Sequence, residues 1–214
     1  MTQDVWSDRA DLYRRSDAHR EGEDLDLLVE WSAGAATALD VATGGGHVAR
    51  RLREAGLRVV TCDPAPGMRP DVICRAESLP FADASFDVVA TRVAAHHYED
   101  VRAAVREMAR VSAGRVLVVD NLHMGDEAEE AERLRDPLHV RNYTEAEWRA
   151  FLEDAGVDVR DVRRLDKPIE LEPWLERAGC EGADAERVRE LLDERIEDGW
   201  ITLDRIALCG EVTR

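Results

Sequence analysis

The chain is poor in lysine and in aromatic residues. Lys167 is its only lysine, and phenylalanine, tryptophan and tyrosine together make up 5% of the sequence. Acidic side chains outnumber basic ones by 46 to 29, which gives a formal net charge of −17. A surface that binds nucleic acid or an anionic membrane carries an excess of basic residues. The composition therefore argues against both partners and predicts an acidic, solvated surface.

Long apolar runs and paired cysteines are also missing. No apolar stretch is long enough to cross a bilayer, and the polar residues 1–20 lack the apolar core of a signal peptide. The four cysteines, Cys62, Cys74, Cys180 and Cys209, form no CxxC pair and have no metal-ligand spacing. We therefore expect a cytoplasmic protein without a metal site or a stable membrane anchor. Cys62, Cys74 and Cys209 are expected to be small core residues.

Strand-like apolar runs alternate with helical patterns along the 214 residues, a length that suits one domain. Strands are predicted at 38–42, 58–62, 71–74, 87–91, 115–119, 157–165 and 205–209. Helices are predicted at 25–31, 47–55, 101–111, 144–154, 173–178 and 185–197. This alternation predicts an α/β fold with a twisted, mainly parallel sheet of seven strands and helices on both faces.

The segment from Ala38 to His47, Ala-Leu-Asp-Val-Ala-Thr-Gly-Gly-Gly-His, predicts a strand, a tight turn and the start of a helix. Glycines let a backbone approach a ligand closely, and a helix N-terminus favours anionic groups. The turn also satisfies G-x-G-x-x-A, with Asp63 about twenty residues later, so a nicotinamide dinucleotide and its NAD(P)-dependent oxidoreductases stay open. The acid Asp40 at the end of the first strand favours instead a cofactor with a positively charged amino end.

Residues 39–46, Leu-Asp-Val-Ala-Thr-Gly-Gly-Gly, resemble the first motif of class I S-adenosyl-L-methionine-dependent methyltransferases, with Ala42 in place of the first glycine. Residues 76–81, 85–89 and 101–111 are similar to later segments of that family, in the same order. The resemblance is to the type 11 branch, near the ubiquinone/menaquinone C-methyltransferases, over roughly residues 16–165. It implies a Rossmann-like class I methyltransferase fold whose last strand is antiparallel. The implied activity is in-line transfer of a methyl group from S-adenosyl-L-methionine to a carbon or oxygen of a small molecule, which leaves S-adenosyl-L-homocysteine.

The resemblance also implies which residues bind the cofactor. The set comprises His19, Asp40, Ala42, Thr43, Gly44, Gly46, Asp63, Pro64, Ala76, Glu77, Arg92 and Val93. Asp40 and the glycine backbone would line the methionine and ribose, and Asp63 would hold the ribose hydroxyls. Ala76 and Glu77 would lie against the adenine. Arg92 and Val93 would border the methionine end, and His19 belongs to a leader that folds over the cofactor.

Two departures from the family pattern lie in the adenine region. Residues 64–70 contain three prolines where the family has a full helix, which predicts a stiff loop. Arg75 stands where the family tends to have an aspartate that accepts from the adenine amine. Arginine has only donors, so Arg75 would stack on the adenine or pair with Glu77. These departures keep open a protein that binds the cofactor without catalysis.

The segment His96-His97-Tyr98 follows strand four, close to where the methyl group would be transferred. His97 first and His96 second are candidates for a base that removes a proton from the acceptor. The alternative is that each histidine caps or packs under the helix that follows.

Residues 134–143 are rich in polar side chains suited to recognition. Arg135, His139, Arg141 and Tyr143 would line the acceptor pocket, or else tie down their own loop. We expect a single domain over residues 1–214, with a helical leader or lid at 1–37 and an α/β core at 38–214. Helical insertions are expected at 122–143 and 168–198.

Overall fold

The apolar runs form one central sheet in a computed structural model, which describes residues 2–15 and 20–213. The strands are β1 Thr37–Val41, β2 Arg58–Asp63, β3 Val72–Ile73, β4 Phe86–Arg92, β5 Ser112–Asn121, β6 Val157–Glu170, β7 Ile196–Glu197 and β8 Trp200–Val212. Their lateral order is β3-β2-β1-β4-β5-β8-β6, with β7 beside β8. Strands β1 to β5 are parallel, and β8 is antiparallel to both β5 and β6. The predicted α/β fold and antiparallel last strand are confirmed, and the short β7 raises the strand count to eight.

Helices lie at the six segments where the apolar spacing predicts them, and the described residues contain two more that the spacing does not predict, at 2–15 and 126–135. They are α1 Thr2–Arg15, α2 Glu23–Trp31, α3 His47–Glu54, α4 Val101–Val111, α5 Asp126–Arg135, α6 Glu145–Asp154, α7 Leu171–Ala178 and α8 Gly182–Leu191. Side chains at two N-termini satisfy otherwise unpaired backbone N–H groups: Asp100 caps α4, and Thr144 with Glu147 forms a capping box on α6. Within residues 2–15 and 20–213, no helix has the length and apolarity to cross a membrane.

The core lies on both faces of the sheet because alternate residues of the central strands point to opposite sides. On β5, Val118 packs in one cluster with Met108 of α4 and Trp148 of α6. Its neighbour Val119 packs on the other face with Leu52 of α3. A strand buried on both faces must be apolar along its whole length, which explains the run Val116–Val119.

Three of the differences from the sequence expectation have a clear physical reason. The proline loop contains a short 3₁₀ turn at Pro66–Met68, because a proline at the first helical position needs no N–H partner. Strand β6 continues to Glu170, five residues beyond the prediction, because it pairs with β8 as far as Trp200. Helix α8 ends at Leu191 rather than at residue 197, because the chain turns there into the hairpin of β7 and β8.

Candidate active site

A cavity of about 350 Å³ opens at the carboxyl ends of β1, β2 and β4. This is the edge where open parallel sheets bind ligands. For reference we divide the cavity wall into two groups of residues, one with the predicted cofactor residues and the other with His97 and His139. We call the part bordered by Asp40, residues 42–45, Asp63, Pro64, residues 75–77, Arg92 and Val93 the cofactor half. The part bordered by Trp6, Tyr13, Met68, His97, Tyr98 and residues 137–140 is the acceptor half.

The glycine turn after β1 is held by the carboxylate of Asp40. Its Oδ2 accepts from the Thr43 hydroxyl at 2.6 Å and from the Ala49 backbone N–H at 3.0 Å, so one carboxylate ties the turn to the first turn of α3. Gly44 and Gly46 have φ of 51° and 77°, which glycine adopts without strain. A Cβ at Gly44 would enter open space beside the cavity, so the bare backbone leaves room for a ligand.

Ala42 and Val93 have left-handed backbone conformations, although neither is glycine. Their φ values are 55° and 52°, at the carboxyl ends of the adjacent strands β1 and β4. This region is unfavourable for an alanine and more so for a β-branched valine. Strain of this kind concentrates at ligand sites, where the surrounding structure holds it. Ala42 occupies the position of the family's first glycine, so the structure gives a conformational reason for glycine there.

Asp63 ends β2 directly beside the glycine turn. Its Oδ2 accepts from the Gly44 N–H at 3.0 Å and its Oδ1 from the Ala65 N–H at 2.9 Å. Each carboxylate oxygen retains a further lone pair with which it can accept from a hydroxyl. Burial raises the pKa of Asp63 above its ordinary value.

Asp40 is 1% exposed, and burial raises its pKa to about 6. The nearby negative charge of Asp63 raises this pKa further, whereas the Thr43 and Ala49 hydrogen bonds and the positive charge of Arg92 lower it. Asp40 is therefore ionised at neutral pH and titrates just below it. A buried carboxylate with few counter-charges suits a ligand that brings a positive charge of its own.

The adenine region contains a surface ion-pair network. Arg75 donates to Glu77 at 3.3 Å and to Glu99 at 3.1 Å, and Glu77 also accepts from the Glu99 N–H. Of the two predicted roles for Arg75, the structure shows the pairing with Glu77. Arg75, Ala76 and Glu77 all border the cavity.

Residue His97 lies in the acceptor half, on the 3₁₀ turn Ala95–His97 that follows β4. Its Nδ1 is 3.0 Å from the Leu138 carbonyl, so the N–H lies on Nδ1 and Nε2 is the ring nitrogen that can accept a proton. Burial, together with the neighbouring His96, lowers the pKa of His97 well below its ordinary value. His97 is therefore neutral at pH 7. The indole of Trp6 packs edge-on against it, with ring centroids 4.7 Å apart.

His96 lies behind His97 rather than on the cavity wall. Its Nδ1 is 2.5 Å from Asp120 Oδ1, and its backbone N–H donates to Asp120 Oδ2 at 2.9 Å. Burial opposes protonation of His96, but Asp120 outweighs it and raises the pKa of His96. This contact holds His96 against β5, and it fixes the turn that carries His97.

Of the four predicted acceptor residues, only His139 borders the cavity in the described part of the chain. The guanidinium of Arg135 stacks 4.2 Å above the Trp174 ring, and Arg141 pairs with Glu147. Tyr143 packs in the core because its ring fits edge-on against aromatic side chains of α6. Three of the four thus tie down their own segment, as the alternative reading had it.

Two cofactor predictions remain, Gly46 and His19. Gly46 supplies the N-cap of α3 rather than a wall residue. His19 lies outside the described residues.

The sequence analysis did not identify several residues of the cavity wall. They are Trp6, Tyr13, His47, Met68, Tyr98, Pro137, Leu138 and Val140. One pattern could have found two of them: Trp6 and Tyr13 are seven positions apart and therefore lie on one face of α1. No cluster of three or more histidine, cysteine or acidic side chains able to hold a metal occurs among the described residues.

Comparisons with known proteins bear on the whole chain. Residues 39–118 match the family model Methyltransf_11, described as a methyltransferase domain. The uncharacterised methyltransferase YcgJ of Bacillus subtilis (strain 168) is 34% identical over 231 aligned positions, which cover 94% of this chain and 90% of YcgJ. The demethylmenaquinone methyltransferase of Corynebacterium efficiens (strain DSM 44549) is 37% identical over 92 positions, covering 38% of this chain and 40% of that enzyme.

Two solved structures show the same fold over nearly the full length. The structure of Bacillus subtilis YcgJ superposes with a TM-score of 0.80 at 27% identity and covers 89% of this chain and 98% of that one. The protein BH2331 of Bacillus halodurans C-125 superposes with a TM-score of 0.78 at 28% identity, covering 90% and 100%. The similarity in fold therefore extends over about nine tenths of this chain.

Proposed function

The chain belongs to the class I S-adenosyl-L-methionine-dependent methyltransferases of the type 11 branch, and from that premise we propose how its cavity serves methyl transfer to a small molecule. The observation that carries the proposal is that two buried carboxylates, Asp40 and Asp63, both accept hydrogen bonds from the glycine turn. In the proposal one carboxylate, Asp40, binds a positively charged amino group, and the other, Asp63, accepts from a pair of hydroxyls. A nucleoside that bears an amino-acid tail has both groups.

In this proposal the cofactor half binds S-adenosyl-L-methionine, which supplies an electrophilic methyl group on a sulfonium. Asp63 accepts from the ribose hydroxyls with the lone pairs that Gly44 and Ala65 leave unused. The open backbone at Gly44 makes room for the nucleoside, and Ala76 and Glu77 border the adenine. The ammonium group lies against Asp40, which is ionised at pH 7.

The acceptor half then orients the methyl acceptor and keeps water out. Trp6, Met68 and Leu138 give this half apolar walls. His97 Nε2 takes the proton from an acidic carbon or a hydroxyl of the acceptor, because the Leu138 carbonyl holds the N–H on Nδ1. Methyl transfer is an in-line displacement, so alignment of the nucleophile supplies much of the rate enhancement. A cavity of about 350 Å³ is at the small end of ligand pockets, which favours a small acceptor.

The experiment that tests the proposal follows the methyl group. The protein is incubated with methyl-¹³C-labelled S-adenosyl-L-methionine and a small-molecule extract of cells, and mass spectrometry detects labelled products. Protein-dependent label on small molecules is the expected result, and Asp63→Ala should reduce it when the labelled cofactor is below saturation. Label that appears only on added protein or nucleic acid would contradict a small-molecule acceptor.

A further inference from the structure

Two thiols lie side by side at one edge of the sheet. Cys62 is on β2, and Cys74 directly follows β3, which is the edge strand. Cys62 pairs with Val72, and because successive residues alternate between the faces of a strand, Cys74 points to the same face as Val72 and Cys62. Both cysteines pack against the same core cluster, and a hydrogen bond joins their thiols. The two sulfur atoms are therefore neighbours before any bond forms between them.

The two thiols differ in exposure and in acidity. Cys62 is 1% exposed, whereas Cys74 is only half-buried. The hydrogen bond from the Cys62 thiol lowers the pKa of Cys74, although burial opposes this shift. The same bond, together with burial, raises the pKa of Cys62. A partly exposed thiol with a lowered pKa beside a second thiol is the arrangement found in cysteines that respond to oxidants.

The backbone connects this pair of cysteines to the cofactor half. Cys62 directly precedes Asp63, and its carbonyl accepts from the Thr43 N–H of the glycine turn at 3.0 Å. Cys74 donates its N–H to the Asp63 carbonyl at 3.3 Å and is followed by residues 75–77 of the cavity wall. A movement of either cysteine therefore shifts residues that border the cofactor half.

We propose that Cys62 and Cys74 are an oxidation site, at which a peroxide converts the two thiols to a reversible disulfide that lowers the affinity of the cofactor half. The oxidation itself is independent of the proposed function. Its effect on affinity rests on the proposed function, since it concerns binding of the cofactor.

Hydrogen peroxide is the oxidant in this reaction. The Cys74 thiolate attacks one peroxide oxygen, so that an S–O bond forms, the O–O bond breaks, and the leaving hydroxide takes up the proton that Cys74 had released. The Cys62 sulfur then attacks the Cys74 sulfur. An S–S bond forms, the S–O bond breaks, and the hydroxide leaves as water with the Cys62 proton. Two thiols lose two electrons, and one peroxide becomes two waters.

The disulfide changes the spacing of the two strands. It needs Cα atoms about 5.5–6 Å apart, whereas residues placed diagonally on neighbouring strands have Cα atoms about 7–8 Å apart. Bond formation therefore draws Cys74 towards β2. Because Cys74 lies just beyond the last residue of β3, the chain there moves without loss of the strand pairing, and residues 75–77 move with it.

The first readout of the test is the disulfide itself. The full chain is treated with hydrogen peroxide, alkylated and digested with trypsin, which does not cleave before proline, so residues 59–75 form one peptide with both cysteines. This peptide should lose the mass of two hydrogen atoms and take up no alkylating reagent, and dithiothreitol should reverse both changes. Two alkylated cysteines, or an oxidised Cys74 without a disulfide, would overturn the proposal.

The second readout is the affinity for S-adenosyl-L-homocysteine in calorimetric titrations. The oxidised protein should bind about threefold to tenfold more weakly than the reduced protein, the usual loss for one misaligned hydrogen bond, and dithiothreitol should restore the affinity. Cys74→Ser should stay within about twofold of the reduced wild type and lose the response to peroxide. Cys180→Ser is the matched control, because Cys180 is also half-buried but packs in a different cluster, and it should respond as the wild type does.

The two readouts separate this inference from the proposed function. A disulfide that forms without a change in affinity, or an undiminished response in Cys74→Ser, would refute the effect on the cofactor half. A reduced wild-type protein that does not bind S-adenosyl-L-homocysteine would refute the proposed function. The mass of the peptide 59–75 would still decide whether the disulfide forms.

Discussion

The two halves of the cavity are built in different ways. The cofactor half consists of strand ends and one glycine turn, held by buried carboxylates that bond to backbone N–H groups. The acceptor half consists of a 3₁₀ turn, the loop at 137–140 and one face of α1. Those segments are joined by loop-to-loop bonds, such as Val140 N–H to the His96 carbonyl at 2.8 Å and His97 to Leu138.

This difference indicates which part of the site is specific to this chain. The cofactor half lies at the edge of the sheet, and the fold that sets the geometry of this edge is shared with the family. Loops and a terminal helix can change sequence and length without disturbing the core. We therefore expect cofactor binding to respond to changes in the first half and acceptor choice to changes in the second. Four predictions test that division, in order of decreasing effect on cofactor affinity.

The largest effect is expected for Asp63→Ala. It removes a buried carboxylate from the ribose hydroxyls and from the turn, so S-adenosyl-L-homocysteine should bind less tightly by about 1–3 kcal/mol. Isothermal calorimetry measures the loss. Asp83→Ala is the control, because Asp83 is an exposed partner of Arg110 far from the turn. An unchanged affinity in Asp63→Ala would remove this residue from the site.

A smaller effect is expected from pH alone. Burial raises the pKa of Asp40 to about 6, so protonation at pH 5 neutralises the carboxylate that we propose to bind the cofactor's ammonium. Affinity for S-adenosyl-L-homocysteine should therefore rise about tenfold between pH 5 and pH 7. 5′-Methylthioadenosine, which has no ammonium, should show no such rise, and Asp40→Asn should flatten the profile for the full ligand. Parallel profiles for the two ligands would contradict the role of Asp40.

A third prediction concerns backbone strain. Ala42→Gly relieves a left-handed alanine and should raise the free energy of unfolding by up to about 1 kcal/mol, as measured by denaturant titration. Ala84→Gly is a matched control, because Ala84 has φ of 56° in a turn outside the cavity. Both variants should gain stability, and Ala42→Gly should change S-adenosyl-L-homocysteine binding by at most a few-fold, because glycine is the family's residue at this position and adopts the same backbone conformation. A loss as large as that of Asp63→Ala would show that the Ala42 side chain itself contributes to the cofactor half.

The smallest effect on cofactor affinity is expected for His97→Ala. His97 borders only the acceptor half, so binding of S-adenosyl-L-homocysteine should stay within about twofold of wild type, whereas methyl transfer should fall sharply. Calorimetry and the labelled-product assay give the two readings. A loss of cofactor affinity as large as that of Asp63→Ala would contradict the division of the cavity into a cofactor half and an acceptor half. Undiminished methyl transfer would show that His97 has a structural role and is not the base.

Much of the fold could be predicted because the spacing of apolar residues depends directly on which side chains are buried. The apolar run Val116–Val119 predicts a buried strand, and the amphipathic spacing of α4 predicts a helix. The ends of strands that depend on pairing with a distant strand were harder to predict from the sequence. Strand β6 extends to Glu170 because β8 lies beside it, and nothing local to residues 166–170 indicates that partner.

The same contrast holds for the candidate site. Asp40, Gly44 and Asp63 could be placed from sequence, since each follows a strand and strand ends meet at one edge. The acceptor half could not be predicted, because its wall combines α1 with segments more than 50 residues away in the sequence. Polar character also misled: Arg135 and Arg141 suggested recognition, yet they pair with Glu132 and Glu147 in their own region of the chain.

The most direct test of the account is a calorimetric titration of the wild-type protein with S-adenosyl-L-homocysteine and, separately, with NADH. The acid-lined glycine turn predicts that one S-adenosyl-L-homocysteine binds per chain and that NADH does not bind. Tight NADH binding, with no heat from S-adenosyl-L-homocysteine at millimolar concentration, would contradict it.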